Sequence, residues 1–432
     1  MTTDALLPPA TDAAADDLLV STVLTDEGRQ DPYPAYAALR AGGTDAPGRW
    51  RTAFGSLGLA GYDDCLEALR HPRLGRPEPD MDLPAGVGGQ ARGRDEEGAS
   101  SMLFLNPPDH TRIRGLVSRA FTPRRVEELR PRIEALLTPV LERFAEHGGG
   151  DVMADLAIPF PVAVISELLG VPREGNEHIQ PLVRDVTSFI DAAADDAALE
   201  RAAASGEELQ RYFTELIEDK RSHPDDRLLT ALIQVEEAGD RLSHGELLTN
   251  TVLLYAAGFE TTSNLIGNGL RLLLNNPDQM ARLQEQPELL PSAMWEILRA
   301  DSPVQLNSRV TLEEVELFGQ RWPRGSSFIV LQGSANHDES VYADAAAFDV
   351  GRFHAGSGSE PAPPPLSFGW GAHHCLGAHL ARAEGEIAFG ALLRAFRSIE
   401  LDADALPGGV PHYRPSFTLR GLDALPVVVT PA

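Results

Sequence analysis

The sequence predicts a mainly α fold with small β-sheets (α+β), and three stretches carry that reading. The first is one long helix. Ser243-His244-Gly245-Glu246 is a capping box, and apolar residues at helical spacing continue to Asn275, where Asn276-Pro277 ends them. That is about 32 residues, or roughly 48 Å at 1.5 Å per residue, long enough to cross a domain of this size. The second is the stretch after Cys375, where Leu376, Leu380, Ile387 and Leu392 with intervening Ala repeat at helical spacing. The third is alternation: Arg309-Val310-Thr311, Val315-Glu316-Leu317 and Phe328-Ile329-Val330-Leu331, with turns between them, predict a small sheet.

The 432 residues are 43% hydrophobic and 23% charged, the balance of a globular protein with an ample core. No internal repeat and no Ser/Gly linker divides them, so residues 30–432 are read as a single domain. Residues 1–29 are read as a disordered tail. The first twenty carry aspartates and no Lys or Arg, unlike a secretory signal or transit peptide. No apolar run approaches the length of a membrane span. A net charge of −27 argues against nucleic acid and anionic membrane as partners. Two cysteines make no disulfide framework, which fits a reducing cytosol.

Taken in order, Asp31-Pro32-Tyr33-Pro34 opens a short helix through Arg40. Trp50 to Tyr62 reads as a hairpin around Gly55 and Gly58, and Asp63 to Arg70 as a helix with Cys65 packed inside. Residues 76–101 hold no periodicity, and a loop this long is functional or disordered. Asn106 to Arg114 leads into a helix on which His110 and Arg114 share a face, by itself a solvated basic face. The window 110–132 holds seven arginines (112, 114, 119, 124, 125, 130 and 132), a basic island in an acidic chain. Residues 151–172 read as one amphipathic helix stopped by Gly170 and Pro172. Helical propensity then covers 174–204, 211–220 and 225–236, and two more helices span Asn276 to Arg299. A Pro/Gly-rich meander over 354–365 enters the cysteine loop, and short strands close the chain at 415–422 and 425–429.

Two stretches carry chemistry. Phe368-Gly369-Trp370-Gly371-Ala372-His373-His374-Cys375-Leu376-Gly377 is a glycine-rich loop that delivers Cys375 to a helix start, where the dipole favours a thiolate. Three readings are open. A buried structural cysteine would not need three glycines around it. Zinc could draw on His373, His374, Cys375 and His379, but the stretch lacks the second thiol of a paired site. Heme needs glycines so that backbone can lie against a flat ring, and a single thiolate on its iron favours O–O cleavage. The other stretch is Ala257-Gly258-Phe259-Glu260-Thr261-Thr262, in the middle of the long helix. Gly258 there costs roughly 1 kcal/mol. A threonine bonding back to a carbonyl would explain a bend; glycine, acid and hydroxyl together suggest backbone opened beside a reaction centre with a proton route.

The cysteine loop closely resembles the heme-binding signature of the cytochrome P-450 family, Phe-x-x-Gly-x-His-x-Cys-x-Gly followed by Leu-Ala-Arg. Phe368, Gly371, His373, Cys375, Gly377 and Leu380-Ala381-Arg382 fill every fixed position. The 257–262 sextet resembles the oxygen-activation motif of the same family, and the order of elements over residues 30–430 looks like a soluble bacterial member. The resemblance implies heme b with Cys375 as the axial iron ligand. It makes His373, His110, Arg114 and Arg309 donors to the two propionates, and it sets Phe368, Gly371, Gly377, Ala257 and Gly258 against the cofactor. It makes Thr261 the hydroxyl at the oxygen site, Glu260 its acid partner, and Glu296, Arg299 and Arg352 a buried charge triad bracing the meander. Ala335-Asn336-His337-Asp338-Glu339 departs from the family in lacking an arginine and a proline, read as a loop variation without chemical consequence.

The activity implied is a cytoplasmic, monomeric heme-thiolate monooxygenase. It would activate O2 to hydroxylate or epoxidise a mainly apolar small molecule, in secondary metabolism. No flavin-binding segment or reductase domain is present, so electrons would come from a separate, acidic ferredoxin-type donor docking at Arg112, Arg119, Arg124 and Arg125. Substrate contacts are expected from 76–101, 174–204 and Val304-Gln305-Leu306-Asn307. A peroxygenase using hydrogen peroxide would replace the acid–hydroxyl pair, and a non-catalytic heme sensor would lack it; Glu260 and Thr261 are both present.

Overall fold

The computed structural model describes residues 12–81, 83, 100–188, 196–237, 242–355 and 362–432. The first difference from the sequence reading comes at once. Where a tail was expected, the described part of 1–29 forms α1 (Ala13–Leu24) and α2 (Asp26–Gln30). Ala15 and Leu19 are buried in a cluster with Tyr36, Leu39, Trp50 and Leu331. The acidic residues that suggested disorder are put to use. Asp12 Oδ1 caps α1 by accepting from Ala15 N–H at 3.0 Å, and buried Asp16 accepts from Trp50 Nε1 and Ala53 N–H.

Next come α3 (Tyr33–Ala41), the predicted hairpin β1 (Arg49–Arg51) and β2 (Leu57–Leu59), α4 (Tyr62–Arg70) and β3 (Leu74–Gly75). Cys65 on α4 is fully buried, as its helical position suggested. The helices α5 (Asp109–Val117) and α6 (Pro123–Glu146) follow, the second capped by the Thr122 hydroxyl. The single helix expected over 151–172 is instead β4 (Gly149–Asp151), a π turn over Met153–Ala157 and α7 (Pro159–Leu169). The strand wins its residues because Asp151 Oδ1 accepts from both Met153 N–H and Leu425 N–H, tying the segment to the C-terminal strand. Helix α7 stops at Gly170 in the left-handed region, as expected.

The remaining helices are α8 (Arg173–Ser188), α9 (Asp196–Ser222), α10 (Leu228–Glu237), the predicted long α11 (His244–Asn275) with its complete capping box, α12 (Pro277–Glu285) and α13 (Leu290–Ala300). Then come β5 (Asn307–Thr311), β6 (Val315–Leu317), β7 (Gln320–Trp322), β8 (Ser327–Val330), α14 (Gln332–Ala335), α15 (Ala378–Ala395), β9 (Phe396–Leu401) and β10 (Pro426–Pro431). The main sheet has the order β1-β2-β8-β5-β3, with β2 and β8 parallel. The largest core cluster wraps α11 in apolar residues from α5–α10, α13, α15 and β9–β10. No single helix among the described residues is long and apolar enough to cross a membrane.

One buried group of charges is fully paired. Glu296 and Arg299, both buried, bind each other bidentately at 2.8 Å, and Arg352 Nε adds a third contact to Glu296 at 3.0 Å. Arg299 also donates to the carbonyls of Asn336, Ala345 and Ala347, so one guanidinium gathers the 336–347 segment that leads into the meander. The departure at 335–339 proves to be a packing device. The His337 ring stacks on Tyr33 at 4.0 Å and bonds Ala300 O through Nε2, while Asn336 Oδ1 accepts from Leu366 N–H. Burial first and the Arg299 charge second pull His337 down to about 3, so it stays neutral in the folded protein.

Candidate active site

The cysteine loop is shaped by two 3-10 turns, Leu366–Phe368 and Gly371–His373, which bring Cys375 N–H to donate to Phe368 O at 2.8 Å. Gly371 has φ +72°, and a Cβ there would stand 2.6 Å from Leu69 O, so the loop is pressed onto α4 where only glycine fits. Phe368 anchors the other end with an edge-on contact to Trp295 at 6.0 Å. Gly377 differs. It caps α15 at an ordinary φ of −84°, and a Cβ added to it would meet nothing within 4 Å. Open space therefore lies beside Cys375, whose side chain is accessible.

The thiol is not the dipole-stabilised thiolate that the sequence suggested. Its surroundings desolvate it and push it up, with the Gly377 N–H and the Arg114 charge only partly opposing. A metal ion would remove the proton outright. The zinc reading finds no support, since no group of three His, Cys, Asp or Glu among the described residues is placed to hold a metal.

Five basic side chains converge next to this loop. Arg114 Nη2 donates to His374 O at 2.5 Å, which fastens α5 to the loop. His110 is only 2% exposed, and its ring lies 4.3 Å from that of His373. The solvated face read from their spacing is in fact turned inward. Arg309 on β5 and Arg76 just after β3 meet at Asn307, whose Oδ1 accepts from Arg309 at 2.9 Å and from Arg76 at 3.1 Å. Both ring nitrogens of His110, Nε2 of His373 and Nε of Arg76 are buried without a hydrogen-bond partner. Among the described residues no carboxylate pairs with any of the five.

The electrostatics follow from that crowding. Burial, reinforced by the neighbouring cations, holds His110 down to about 4 and His373 to about 2. Burial alone lowers Arg76 to about 10, and Arg309 is driven well below the usual guanidinium range. Buried like charges with unsatisfied donors are unfavourable unless an anion joins them. The cluster therefore offers unpartnered donors and positive charge to an anion.

Arg76 was invisible to sequence reading, because it opens an aperiodic loop. Its place is decided by β3 pairing with β5, Leu74 against Thr311 and Gly75 against Val310, which carries the next residue to Arg309. Residues 82 and 84–99 of that loop, 189–195 of the expected substrate region and 356–361 of the meander lie outside the described residues. Gln305, expected to face substrate, is buried against Tyr36 and Ser302 instead, and Asn307 serves the cation cluster.

On α11, otherwise packed on most sides, Ala257 is exposed and Glu260 and Thr261 are half-buried. The Thr261 hydroxyl bonds back to Ala257 O at 3.0 Å, and Thr262 and Ser263 repeat the pattern one residue on. Glu260 Oε2 is buried and unpartnered. Gly258 has a different neighbour from the one expected: a Cβ there would stand 2.9 Å from Ile165 of α7, so its glycine serves helix packing.

A profile for the family described as Cytochrome P450 matches residues 90–407. The chain belongs to the cytochrome P450 family. This P450 is 39% identical over 409 residues to cytochrome P450 107B1 of Saccharopolyspora erythraea, covering 93% of this chain and 96% of that protein. It is 36% identical over 410 residues to 6-deoxyerythronolide B hydroxylase of the same organism, covering 93% and 97%. Its fold matches the ligand-free crystal structure of Mycobacterium smegmatis CYP164A2 with a TM-score of 0.83 and 33% identity, covering 96% of this chain and all of that one. The P450 is therefore an oxidoreductase, a heme-iron monooxygenase acting with O2 on a small molecule. The site fits that cofactor. An accessible thiol, open space at Gly377 and a carboxylate-seeking cation cluster stand together, as an iron porphyrin with two propionates requires.

Proposed function

We propose that this P450 is a cytoplasmic, single-domain catalyst that hydroxylates or epoxidises a mainly apolar small molecule, with electrons from a separate ferredoxin-type protein. The observation that carries the reading is the accessible Cys375 beside buried His110, Arg76 and Arg309 and half-buried His373 and Arg114, with no carboxylate among the described residues paired to any of the five. The name of one relative, a 6-deoxyerythronolide B hydroxylase, supports hydroxylation. Heme bound here supplies two-electron activation of O2 at a thiolate-ligated iron.

The chain's own residues do the rest. Cys375 would supply the thiolate, and the five basic groups would hold the cofactor's carboxylates. Ala257, small and exposed, leaves room on the face of α11. The Thr261 hydroxyl, bonded to Ala257 O, would hold a proton beside the place where oxygen reacts, and Glu260 Oε2, unpartnered, would carry protons to that hydroxyl. In Thr261→Ala, heme content and substrate affinity should stay near wild type. Product formed per electron pair should fall roughly 10-fold or more, with hydrogen peroxide taking up the difference. Unchanged coupling would leave Thr261 with only the back-bond to Ala257 O.

The donor's docking face is assigned to the outer side of α5 and α6, which the Arg114–His374 and Arg130–Glu386 contacts hold against the cysteine loop and α15. Its charge is smaller than the sequence suggested. Arg112 is paired with Glu246, and Arg124 and Arg125 share Glu128, which leaves exposed Arg119 and one net positive charge from that trio. Steering should still be visible at low salt. The first electron-transfer rate should fall with ionic strength in wild type and be low and flat in Arg124→Glu/Arg125→Glu. Superimposable profiles would place the donor elsewhere.

A further inference from the structure

Among the described residues one cation is paired with Glu260. Nη2 of Arg414 lies 4.0 Å from Glu260 Oε1, with the two side chains 32% and 13% exposed. That distance is too long for a hydrogen bond, so the pair interacts by charge alone and the carboxylate is not clamped. The arginine, by contrast, is firmly held. The same Nη2 donates to Asn264 Oδ1 at 2.9 Å, and Asn264, fully buried, stands one turn beyond Glu260 on α11. Arg414 N–H donates to Gly421 O at 3.0 Å beside the Tyr413–Leu422 bridge. A Cβ on Gly421 would stand 2.0 Å from Asn264 Oδ1 and 2.7 Å from Arg414 Nη2, so glycine is required for the contact to exist.

Arg414 also lines a cavity of about 20 Å³ beneath α1 and α2, together with Thr22, Arg29, Gln305, Ser416 and Arg420. That is room for about one water with several polar partners. Glu260 itself has an orphan Oε2 and no hydrogen bond to Arg414, the arrangement of a group that must move.

We propose that Arg414 is a positioning residue for Glu260: fixed by Asn264 and Gly421, it attracts the acid without bonding it and also lines a water-sized cavity under the N-terminal helices. This rests on the reading of Glu260 as the proton-handling acid. A bidentate arginine would lock the carboxylate away from Thr261; an unbonded one at 4.0 Å orients it and leaves it free to swing.

The test uses the ferric holoenzyme and turnover with one coupled substrate. The carboxylate stretch of Glu260 is read by infrared difference between protein labelled with carboxyl-¹³C glutamate and its Glu260→Gln counterpart. In Arg414→Met that band should shift, coupling should fall roughly 10-fold and the solvent isotope effect on oxygen consumption should rise. Arg414→Lys should restore most of the coupling, and heme content and the reduced carbon monoxide band should be unchanged throughout. In a Glu260→Gln background, Arg414→Met should cost less than about 2-fold more, since the two act as one unit. An unmoved band with unchanged coupling, or an equal loss in both backgrounds, overturns the proposal. Full coupling in Glu260→Gln alone overturns the reading of the acid first, and the role of Arg414 falls with it.

Discussion

Cys375→Ala is expected to abolish the red-shifted Soret band that carbon monoxide gives with thiolate-ligated ferrous heme, and to reduce monooxygenase turnover to background. His379→Ala, on the same stretch, should leave both intact. The reason is in the loop. Cys375 N–H is fixed to Phe368 O, and Gly371 has no room for another side chain, so the chain can offer no substitute ligand at that place without dismantling the turn. Desolvation pushes the thiol up, and a bound iron would supply the charge that ionises it. Stoichiometric zinc without heme in the purified protein would sink this assignment.

Arg299→Met should destabilise the fold by about 3–5 kcal/mol, the cost of stranding one member of a buried ion pair. Glu296 would keep Arg352 and Asp349 N–H as partners, while the carbonyls of Asn336, Ala345 and Ala347 would lose their shared donor. Denaturant unfolding followed at the Soret band should show a lower midpoint with the slope unchanged, and heme should be lost earlier because the meander feeds the cysteine loop. A midpoint equal to that of the exposed-pair variant Arg124→Ala would mean that the triad is not what holds the meander.

The difference between those two arginine variants shows what can be read from a sequence. Glu-x-x-Arg is the same pattern on a surface and in a core, and only burial separates a negligible pair from a costly one. The basic island over 110–132 shows the same ambiguity from the other side. His110 turns inward and Arg114 is half-buried against the cysteine loop, whereas Arg124 and Arg125 point outward and are half-neutralised by Glu128. Helical spacing told which of these residues share a face, but the packing of α5 against the cysteine loop decided what the face meets.

What the sequence determined by itself is the chemistry encoded by near neighbours. The capping box and apolar repeat marked α11, the glycines around Cys375 marked a loop that projects a thiol, and the Glu260-Thr261 step marked a polar break in a core helix. These signals are local because helix caps, positive φ angles and back-bonding hydroxyls depend on residues within one turn. Tertiary structure alone decided the remainder. Arg76 reaches the cation cluster because Gly75 beside it pairs with Val310 of β5, far away along the chain. Arg414 reaches Glu260 through the bridge from Tyr413 to Leu422 and the gap at Gly421. The acidic N-terminal segment becomes helix because Trp50 and Tyr36 wait to receive it. Each of these depends on contacts between segments far apart in the chain, and such contacts leave no local spacing to read.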